Sequence, residues 1–170
     1  MVEQKAEKGK GSARIPSAAK IIKAYPITAL DSEEEIRFST GIGELNRVLG
    51  GGAVKGSLVL VGGAPGIGKS TLMLQICQTL GQSWKVLYVS GEESTRQLKM
   101  RANRLHVDTE NLLVLSETQL GDILSCVEQE KPDVLIIDSI QTLYNEESDG
   151  IPGGIGQVKQ CTLTLMQLAK

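Results

Sequence analysis

An eight-residue glycine-rich segment constrains the fold more than any other part of the sequence. Residues 63–70 read Gly-Ala-Pro-Gly-Ile-Gly-Lys-Ser, directly after an apolar run and before a segment with helical apolar spacing. Glycines at these positions let the backbone direct successive N–H groups toward phosphate oxygens. Such a loop joins a buried strand to a helix N-terminus, where the helix dipole attracts an anion. The segment therefore predicts an α/β domain that binds a nucleoside triphosphate.

The side chains of this loop have separate expected roles. Lys69 adds a positive charge near the β and γ phosphates and is expected to be catalytic. The Ser70 hydroxyl is expected to bind Mg²⁺. The residues expected to contact the nucleotide are Gly63, Ala64, Pro65, Gly66, Ile67, Gly68, Lys69, Ser70 and Thr71.

Apolar runs and helically spaced segments alternate along most of the chain. Strands are predicted at residues 57–61, 85–89, 112–115 and 134–137. Helices are predicted at residues 42–49, 69–80, 97–105 and 119–129. This alternation is typical of a mainly parallel sheet with helices on both faces. We therefore expect an α/β domain over residues 39–170, preceded at residues 1–38 by a linker that is partly disordered.

Acidic residues follow two of the predicted strands. Asp138 ends the run 134–137, where a carboxylate can hold the hydration shell of Mg²⁺, although many strands end in Asp as a simple cap. Glu92 and Glu93 follow the run 85–89, and a carboxylate there can orient and polarise an attacking water. The same pair could instead form the negatively charged first turn of a helix. The spacing alone leaves these two roles open.

Composition excludes several other kinds of site. The net charge of −2 and the pI near 5.5 mean that any nucleic-acid-binding surface must be local. Three isolated cysteines and one histidine form no zinc-binding pattern, so no zinc is expected in this chain. No apolar run approaches the roughly 20 residues of a membrane span, and the N-terminus has no signal-peptide core. We therefore expect a cytoplasmic protein without membrane contact.

Several motifs outside the phosphate loop occur together in this chain. They are Phe38-Ser39-Thr40-Gly41-Ile42, Glu44-Leu45-Asn46-Arg47-Val48-Leu49-Gly50-Gly51-Gly52, Ser90-Gly91-Glu92-Glu93-Ser94, Arg101-Ala102-Asn103-Arg104-Leu105, Leu115-Ser116-Glu117-Thr118 and Asp138-Ser139-Ile140-Gln141-Thr142. Together these motifs closely resemble the ATPase core of the bacterial RadA (Sms) family of RecA-like DNA repair proteins. The resemblance covers about residues 25–170.

This resemblance implies a RecA-like P-loop NTPase fold that is incomplete at its C-terminus. It implies ATP and Mg²⁺ as cofactors, and a DNA-stimulated ATP hydrolase that promotes branch migration of recombination intermediates. The implied partners are single-stranded or branched DNA, further copies of the same chain in a homo-hexamer when full length, and a recombinase.

The resemblance also implies roles for particular residues. Glu92 would be the water-activating catalytic carboxylate, Asp138 the Mg²⁺-linked aspartate, and Arg101 a residue near the adenine. Gln157 and Lys159 lie in the glycine-rich stretch 145–159, which falls where the family has its first DNA-binding loop. A mobile segment there suits a DNA contact that is switched by nucleotide. Composition alone fits a flexible surface loop equally well.

The chain also departs from the family. Ala64 stands where RadA proteins usually have an acidic residue, and Gln160 where an acid is common. The family's N-terminal zinc finger and its C-terminal Lon-protease-like domain have no counterpart here, so we interpret the sequence as a fragment. The alternative is a signalling ATPase that resembles KaiC. Such proteins share the Ser-Thr-Gly-Ile sequence and paired glutamates, but they phosphorylate themselves and bind protein partners.

Overall fold

The computed structural model describes residues 24–29 and 35–170 of the chain. The chain divides into two compact units, Met1–Glu34 and Glu35–Lys170. The described part of the first unit contains a 3-10 turn at Ile27–Ala29. Most of the expected linker therefore lies outside the described residues.

The second unit begins a few residues before the predicted boundary at residue 39. Here β1 (Arg37–Phe38) pairs antiparallel with β2 (Ala53–Val54), and α1 (Gly43–Val48) lies between them in sequence. Phe38 is buried, and its ring meets the Trp84 ring edge to face at a centroid distance of 4.8 Å. This aromatic contact joins the start of the unit to its core.

A three-stranded parallel sheet forms the centre of the second unit. Its strands are β3 (Val86–Ser90), β4 (Leu112–Ser116) and β5 (Val134–Asp138), in the order β4-β3-β5. The register places Ser90 opposite both Ser116 and Asp138, so the three carboxyl ends meet at one edge of the sheet. The three corresponding predicted strands are confirmed, each to within one residue.

Helices cover both faces of this sheet. The four longer helices are α2 (Lys69–Leu80), α3 (Thr95–Arg104), α4 (Leu120–Glu130) and α5 (Ile155–Ala169). α2 and α3 pack with Val86 and Tyr88, whereas α4 and α5 pack with Leu87 and Val89. Because side chains alternate along a strand, two separate cores form, and the predicted α/β class is confirmed. Within the described residues, no helix combines the length and the hydropathy that crossing a bilayer requires.

Side-chain caps determine where two helices begin. Ser94 Oγ accepts a hydrogen bond from the N–H of Gln97, and the Gln97 side chain accepts one from the N–H of Ser94. This capping box starts α3 at Thr95, two residues before the predicted position. Gln119 Oε1 accepts from the N–H of Asp122 in the same way at the start of α4.

The apolar run 57–61 is not a strand, so the prediction of a buried strand there is wrong. Leu58, Val59 and Leu60 are 44%, 47% and 79% exposed. A strand needs a neighbour for its N–H and C=O groups. Within the described residues the sheet ends at β5, which pairs with β3 alone. The run therefore has side chains suited to a sheet interior but no strand beside it in the described part of the chain.

α5 occupies part of the stretch 145–159 that was predicted to be a loop. The helix begins at Ile155, so Gln157 and Lys159 lie in its first turns. Cys161 and Leu165 are buried against the sheet, and their separation of four residues is typical of one helix face. The nearby glycines conceal this periodicity in the sequence.

Candidate nucleotide-binding site

The glycine-rich loop leads directly into α2, as the sequence predicts. Gly66 and Gly68 have φ angles of 77° and 101°, in a region that glycine adopts without steric cost. Gly68 is the N-cap residue of α2 and, having no side chain, leaves the first N–H groups of the helix uncapped. Residues 62–68 are exposed. The loop thus presents backbone donors and the positive end of the α2 dipole to an incoming phosphate chain.

The loop itself orients the Lys69 side chain. Lys69 Nζ donates hydrogen bonds to the carbonyl oxygens of Gly63 and Ala64, both at 2.9 Å. An ammonium group has three protons, so one remains for an anionic acceptor. Ser70 and Thr71 follow in the first turn of α2 and are partly buried.

Asp138 lies on the face of the sheet that carries α2. Its Oδ2 accepts a hydrogen bond of 2.6 Å from the Tyr88 hydroxyl, and Tyr88 is fully buried in one core cluster with Leu74 and Cys77 of α2. Burial, together with the hydrogen bond to Asp138 and its negative charge, raises the pKa of the Tyr88 hydroxyl well above its usual value. The hydroxyl therefore stays protonated and donates.

The two glutamates after β3 have different partners. Glu92 is exposed, and its Oε1 accepts a hydrogen bond of 3.1 Å from the Ser139 hydroxyl. Glu93 is partly buried and forms an ion pair through Oε1 with Arg101. Neither glutamate lies in the first turn of α3. The alternative interpretation, in which the pair forms the negatively charged first turn of a helix, is therefore excluded. Glu92 therefore stands beside the Asp138-Ser139 segment with access to solvent, whereas Glu93 is held by Arg101.

A pocket of about 310 Å³ lies between the start of α2 and the end of α3, and its lining includes Thr71, Arg101, Arg104 and Leu105. The pocket is therefore lined both by α2, which follows the phosphate loop, and by Arg101, the residue expected near the adenine. An arginine guanidinium can stack on an aromatic base. This location is compatible with the expected role of Arg101, although here Arg101 also pairs with Glu93.

The chemistry of the two expected metal ligands fits a magnesium ion. The Asp138 carboxylate and the Ser70 hydroxyl are hard oxygen ligands, which Mg²⁺ prefers together with water and phosphate oxygens. Glu93 Oε2 is buried without a hydrogen-bond partner in the described part of the chain, so it can accept a hydrogen bond from a bound group or water. Residues 24–29 and 35–170 contain no group of three or more His, Cys, Asp or Glu side chains that could hold a metal alone. A magnesium ion here would therefore rely on phosphates and water for its remaining ligands.

The two predicted DNA contacts lie on the other face of the sheet, on α5. Gln157 is 2% exposed, and its Oε1 accepts a 2.8 Å hydrogen bond from the N–H of Asn145. Its Nε2 donates to the carbonyl oxygens of Asn145 and Ser148, at 3.1 and 2.8 Å. The Gln157 side chain thus holds the preceding loop in this conformation, and its contact with DNA stays a prediction. Lys159 is exposed, and its contact with DNA stays a prediction.

Comparison with known proteins identifies the family of this domain. A family model described as an AAA domain matches residues 24–152. The chain belongs to this family of AAA domains.

Several bacterial proteins named DNA repair protein RadA are similar to this AAA domain. RadA of Bacillus subtilis is 48% identical over 174 residues, which cover 100% of this chain and 38% of that protein. RadA of Listeria monocytogenes is 54% identical over 149 residues, 87% of this chain and 33% of that protein. RadA of Escherichia coli is 46% identical over 153 residues, 90% of this chain and 33% of that protein. The predicted resemblance to the RadA family is confirmed, and the chain spans 33–38% of the length of these relatives.

Two residues at the site of this AAA domain were not predicted from the sequence. Tyr88 donates to Asp138, and Ser139 donates to Glu92. A signal for Tyr88 was present, because it is the one aromatic residue in the apolar strand β3 and lies two residues before its end. A hydroxyl residue after a strand-end aspartate is too common to be informative, so nothing distinguished Ser139.

Proposed function

We propose that this AAA domain binds ATP with Mg²⁺ and hydrolyses it, as the ATPase part of a DNA repair protein that acts in the cytoplasm. The proposal depends most on the position of Asp138, which lies on the face of the sheet that α2 covers. Glu92 lies beside the Asp138-Ser139 segment, and the phosphate loop leads into the start of α2. The DNA-repair role is supported by the printed name of the relatives, DNA repair protein RadA.

The triphosphate would bind along the backbone donors of the phosphate loop. Gly66 and Gly68 provide the backbone shape, and the free proton of the Lys69 ammonium group would donate to the β and γ phosphates. Ser70 and Asp138 would hold Mg²⁺, which when bound supplies charge neutralisation on the transferred phosphate.

Glu92 would orient the attacking water. Its carboxylate accepts one hydrogen bond, from Ser139, and is open to solvent on the same edge as Asp138. A carboxylate in this position can accept a proton from the water as it attacks the γ phosphate. Arg101 would contact the adenine in the pocket beside Thr71. Part of its present contact with Glu93 would then be replaced by contact with the base.

We further propose that DNA stimulates this hydrolysis and that branch migration of recombination intermediates is the outcome. Single-stranded or branched DNA would contact the region of the loop 145–154 and Lys159, an exposed cation on α5. The assembly would be a homo-hexamer of the longer protein, with a recombinase as a further partner. The DNA-repair name of the relatives supports this direction.

The test is ATP binding and hydrolysis by the purified chain, with and without single-stranded DNA. We expect binding of a fluorescent ATP analogue that Mg²⁺ strengthens, and turnover that rises when DNA is added. Lys69→Ala should abolish both, because it removes the charge that faces the phosphates. Lys55→Ala, at an exposed lysine outside the site, is the matched control and should behave as wild type.

Four outcomes contradict parts of the proposal. Absence of Mg²⁺-dependent nucleotide binding by the wild-type chain, or equal turnover in Lys69→Ala, refutes the ATPase assignment. Turnover that DNA does not change refutes the DNA-stimulated activity. Radioactive phosphate transferred from ATP covalently onto the protein would favour a self-phosphorylating signalling ATPase instead.

A further inference from the structure

Tyr88 is a fully buried tyrosine whose hydroxyl reaches the acidic edge of the sheet. Its relative exposure is 0%, and it lies in the core cluster between the sheet and α2. The hydroxyl donates to Asp138 Oδ2 at 2.6 Å, a short distance typical of an O–H bond to a carboxylate. A phenylalanine would fill the same apolar space, so packing alone does not account for the hydroxyl.

The strand register explains how Tyr88 reaches this carboxylate. β3 and β5 are parallel neighbours, with Tyr88 opposite Ile136 and Ser90 opposite Asp138. Tyr88 and Asp138 are therefore diagonal neighbours on the same face, a separation that a long aromatic side chain can span. Ser90, directly opposite Asp138, is buried, and its hydroxyl oxygen instead accepts hydrogen bonds from the N–H groups of Glu92 and Glu93 at 3.3 and 2.9 Å.

The hydrogen bond fixes one oxygen of the Asp138 carboxylate. A carboxylate has about four acceptor positions on two oxygens, and the Tyr88 hydroxyl uses one of them on Oδ2. The tyrosine ring is held by its apolar neighbours, so it cannot follow if the carboxylate turns. Oδ1 is thereby held in one orientation, with acceptor capacity remaining.

We propose that Tyr88 is a positioning residue that orients Asp138 toward the magnesium ion of the bound nucleotide. This inference rests on the proposed function, because it requires a Mg²⁺–ATP complex at the phosphate loop. Hydrogen bonds to metal-linked carboxylates orient them, and the loss of such a bond typically weakens metal affinity or activity by about 10-fold to 100-fold. Tyr88 would act through Asp138 without touching the nucleotide.

The experiment measures the Mg²⁺ dependence of ATP binding in Tyr88→Phe. Binding of a fluorescent ATP analogue is titrated with Mg²⁺ for the wild type, for Tyr88→Phe and for Tyr144→Phe, a control at a partly buried tyrosine whose backbone pairs with Gln119. We expect the Mg²⁺ concentration at half-effect to rise about 10-fold in Tyr88→Phe and to stay unchanged in Tyr144→Phe. Binding without Mg²⁺ should be equal in all three proteins, which a general loss of structure would not allow.

A double variant tests whether Tyr88 acts through Asp138. In the Asp138→Asn background, Tyr88→Phe should cause little further change in the Mg²⁺ dependence, because the acceptor whose charge it orients is already lost. Equal Mg²⁺ dependence in wild type and Tyr88→Phe would overturn the role of Tyr88 while leaving the ATPase assignment intact. A wild-type chain that binds no nucleotide would instead overturn the proposed function.

A measurement on the unmutated side chain keeps the proposal testable if Tyr88→Phe does not fold. The sequence contains three tyrosines, so a chain labelled with ¹³C at the tyrosine Cζ gives few resonances to assign. The Tyr88 resonance should shift when Mg²⁺ is added to the nucleotide-bound chain, and this shift should be absent in Asp138→Asn. A Tyr88 resonance that ignores Mg²⁺ in the wild type would contradict the proposal.

Discussion

A glutamate that activates a water molecule must keep part of its carboxylate available to that water. Glu92 meets this requirement, because its side chain is exposed and its carboxylate accepts a single hydrogen bond, from Ser139. Glu93 has the same chemistry one residue later but forms an ion pair with Arg101. The contacts of the two side chains, and not their residue type, therefore separate their roles.

Replacing each glutamate by glutamine tests this separation. Glu92→Gln should still bind ATP and should hydrolyse it roughly 100-fold more slowly or worse, because the amide cannot accept the proton. Glu93→Gln keeps the same size but weakens the pair with Arg101, so we expect a larger effect on KM than on kcat. Steady-state kinetics of the two variants make the comparison. A wild-type kcat in Glu92→Gln, or a greater loss of kcat in Glu93→Gln, would reverse the assignment.

The sequence could predict the place of these carboxylates but not their partners. Parallel strands end at a common edge, so Glu92 and Asp138 had to approach each other once both strands were recognised. Which glutamate is paired depends on where the long side chain of Arg101 lies, and no local pattern encodes that position. The hydrogen bond from Tyr88 to Asp138 was not predictable either, because no local pattern encodes a contact between side chains on two different strands.

At the scale of elements, the loop 145–154 is held by the helix that follows it. Gln157, in the first turns of α5, exchanges hydrogen bonds with the backbone of Asn145 and donates to the carbonyl oxygen of Ser148. An amide side chain buried in this way replaces the backbone partners that an irregular loop lacks. Gln157 of α5 therefore connects the start of the loop 145–154 to its middle.

Gln157→Ala should loosen this loop. The substitution removes the acceptor of the Asn145 N–H, and we expect the loop amides to exchange with deuterium at least about 10-fold faster, since each lost bond is worth about 1 kcal/mol. Hydrogen exchange followed by mass spectrometry measures the effect. Gln160→Ala, at an exposed glutamine of the same helix, serves as the control and should leave the loop unchanged. Unaltered exchange around Asn145 in Gln157→Ala would show that the loop is held by other contacts.

Elements with a regular apolar period were predictable, and the two errors occur where contacts with other elements, and not the local pattern, decide the structure. In β3 and α2 the apolar side chains suggested by the pattern are buried by neighbouring elements, so the pattern and the structure agree. The run 57–61 has the composition of a buried strand, but strand formation depends on a partner that its own sequence does not specify. α5 was missed for the opposite reason, because glycines near its start conceal a helix that packing on the sheet stabilises.

At the scale of the whole molecule, the described residues contain two features that favour contact between chains, an open sheet edge and an exposed apolar run. β5 pairs with β3 alone in the described part of the chain, and Leu58, Val59 and Leu60 are exposed in the run before the phosphate loop. Unpaired strand edges and uncharged β-prone segments both promote association between chains. The 170-residue chain is therefore expected to associate with itself, and the exposed run 58–60 is one surface that can make the contact.

Leu60→Lys tests that expectation. Leu60 is 79% exposed, so a lysine there removes no core contact, and its charge opposes the approach of a second chain to the same run. We expect sedimentation velocity to show concentration-dependent oligomers for the wild-type chain and a shift toward monomer for Leu60→Lys. Val48→Lys is the matched control, since Val48 is 71% exposed on α1 and a lysine changes net charge equally. A wild-type chain that stays monomeric at high concentration, or an equal effect of both lysines, would mean that this run is not the contact between chains.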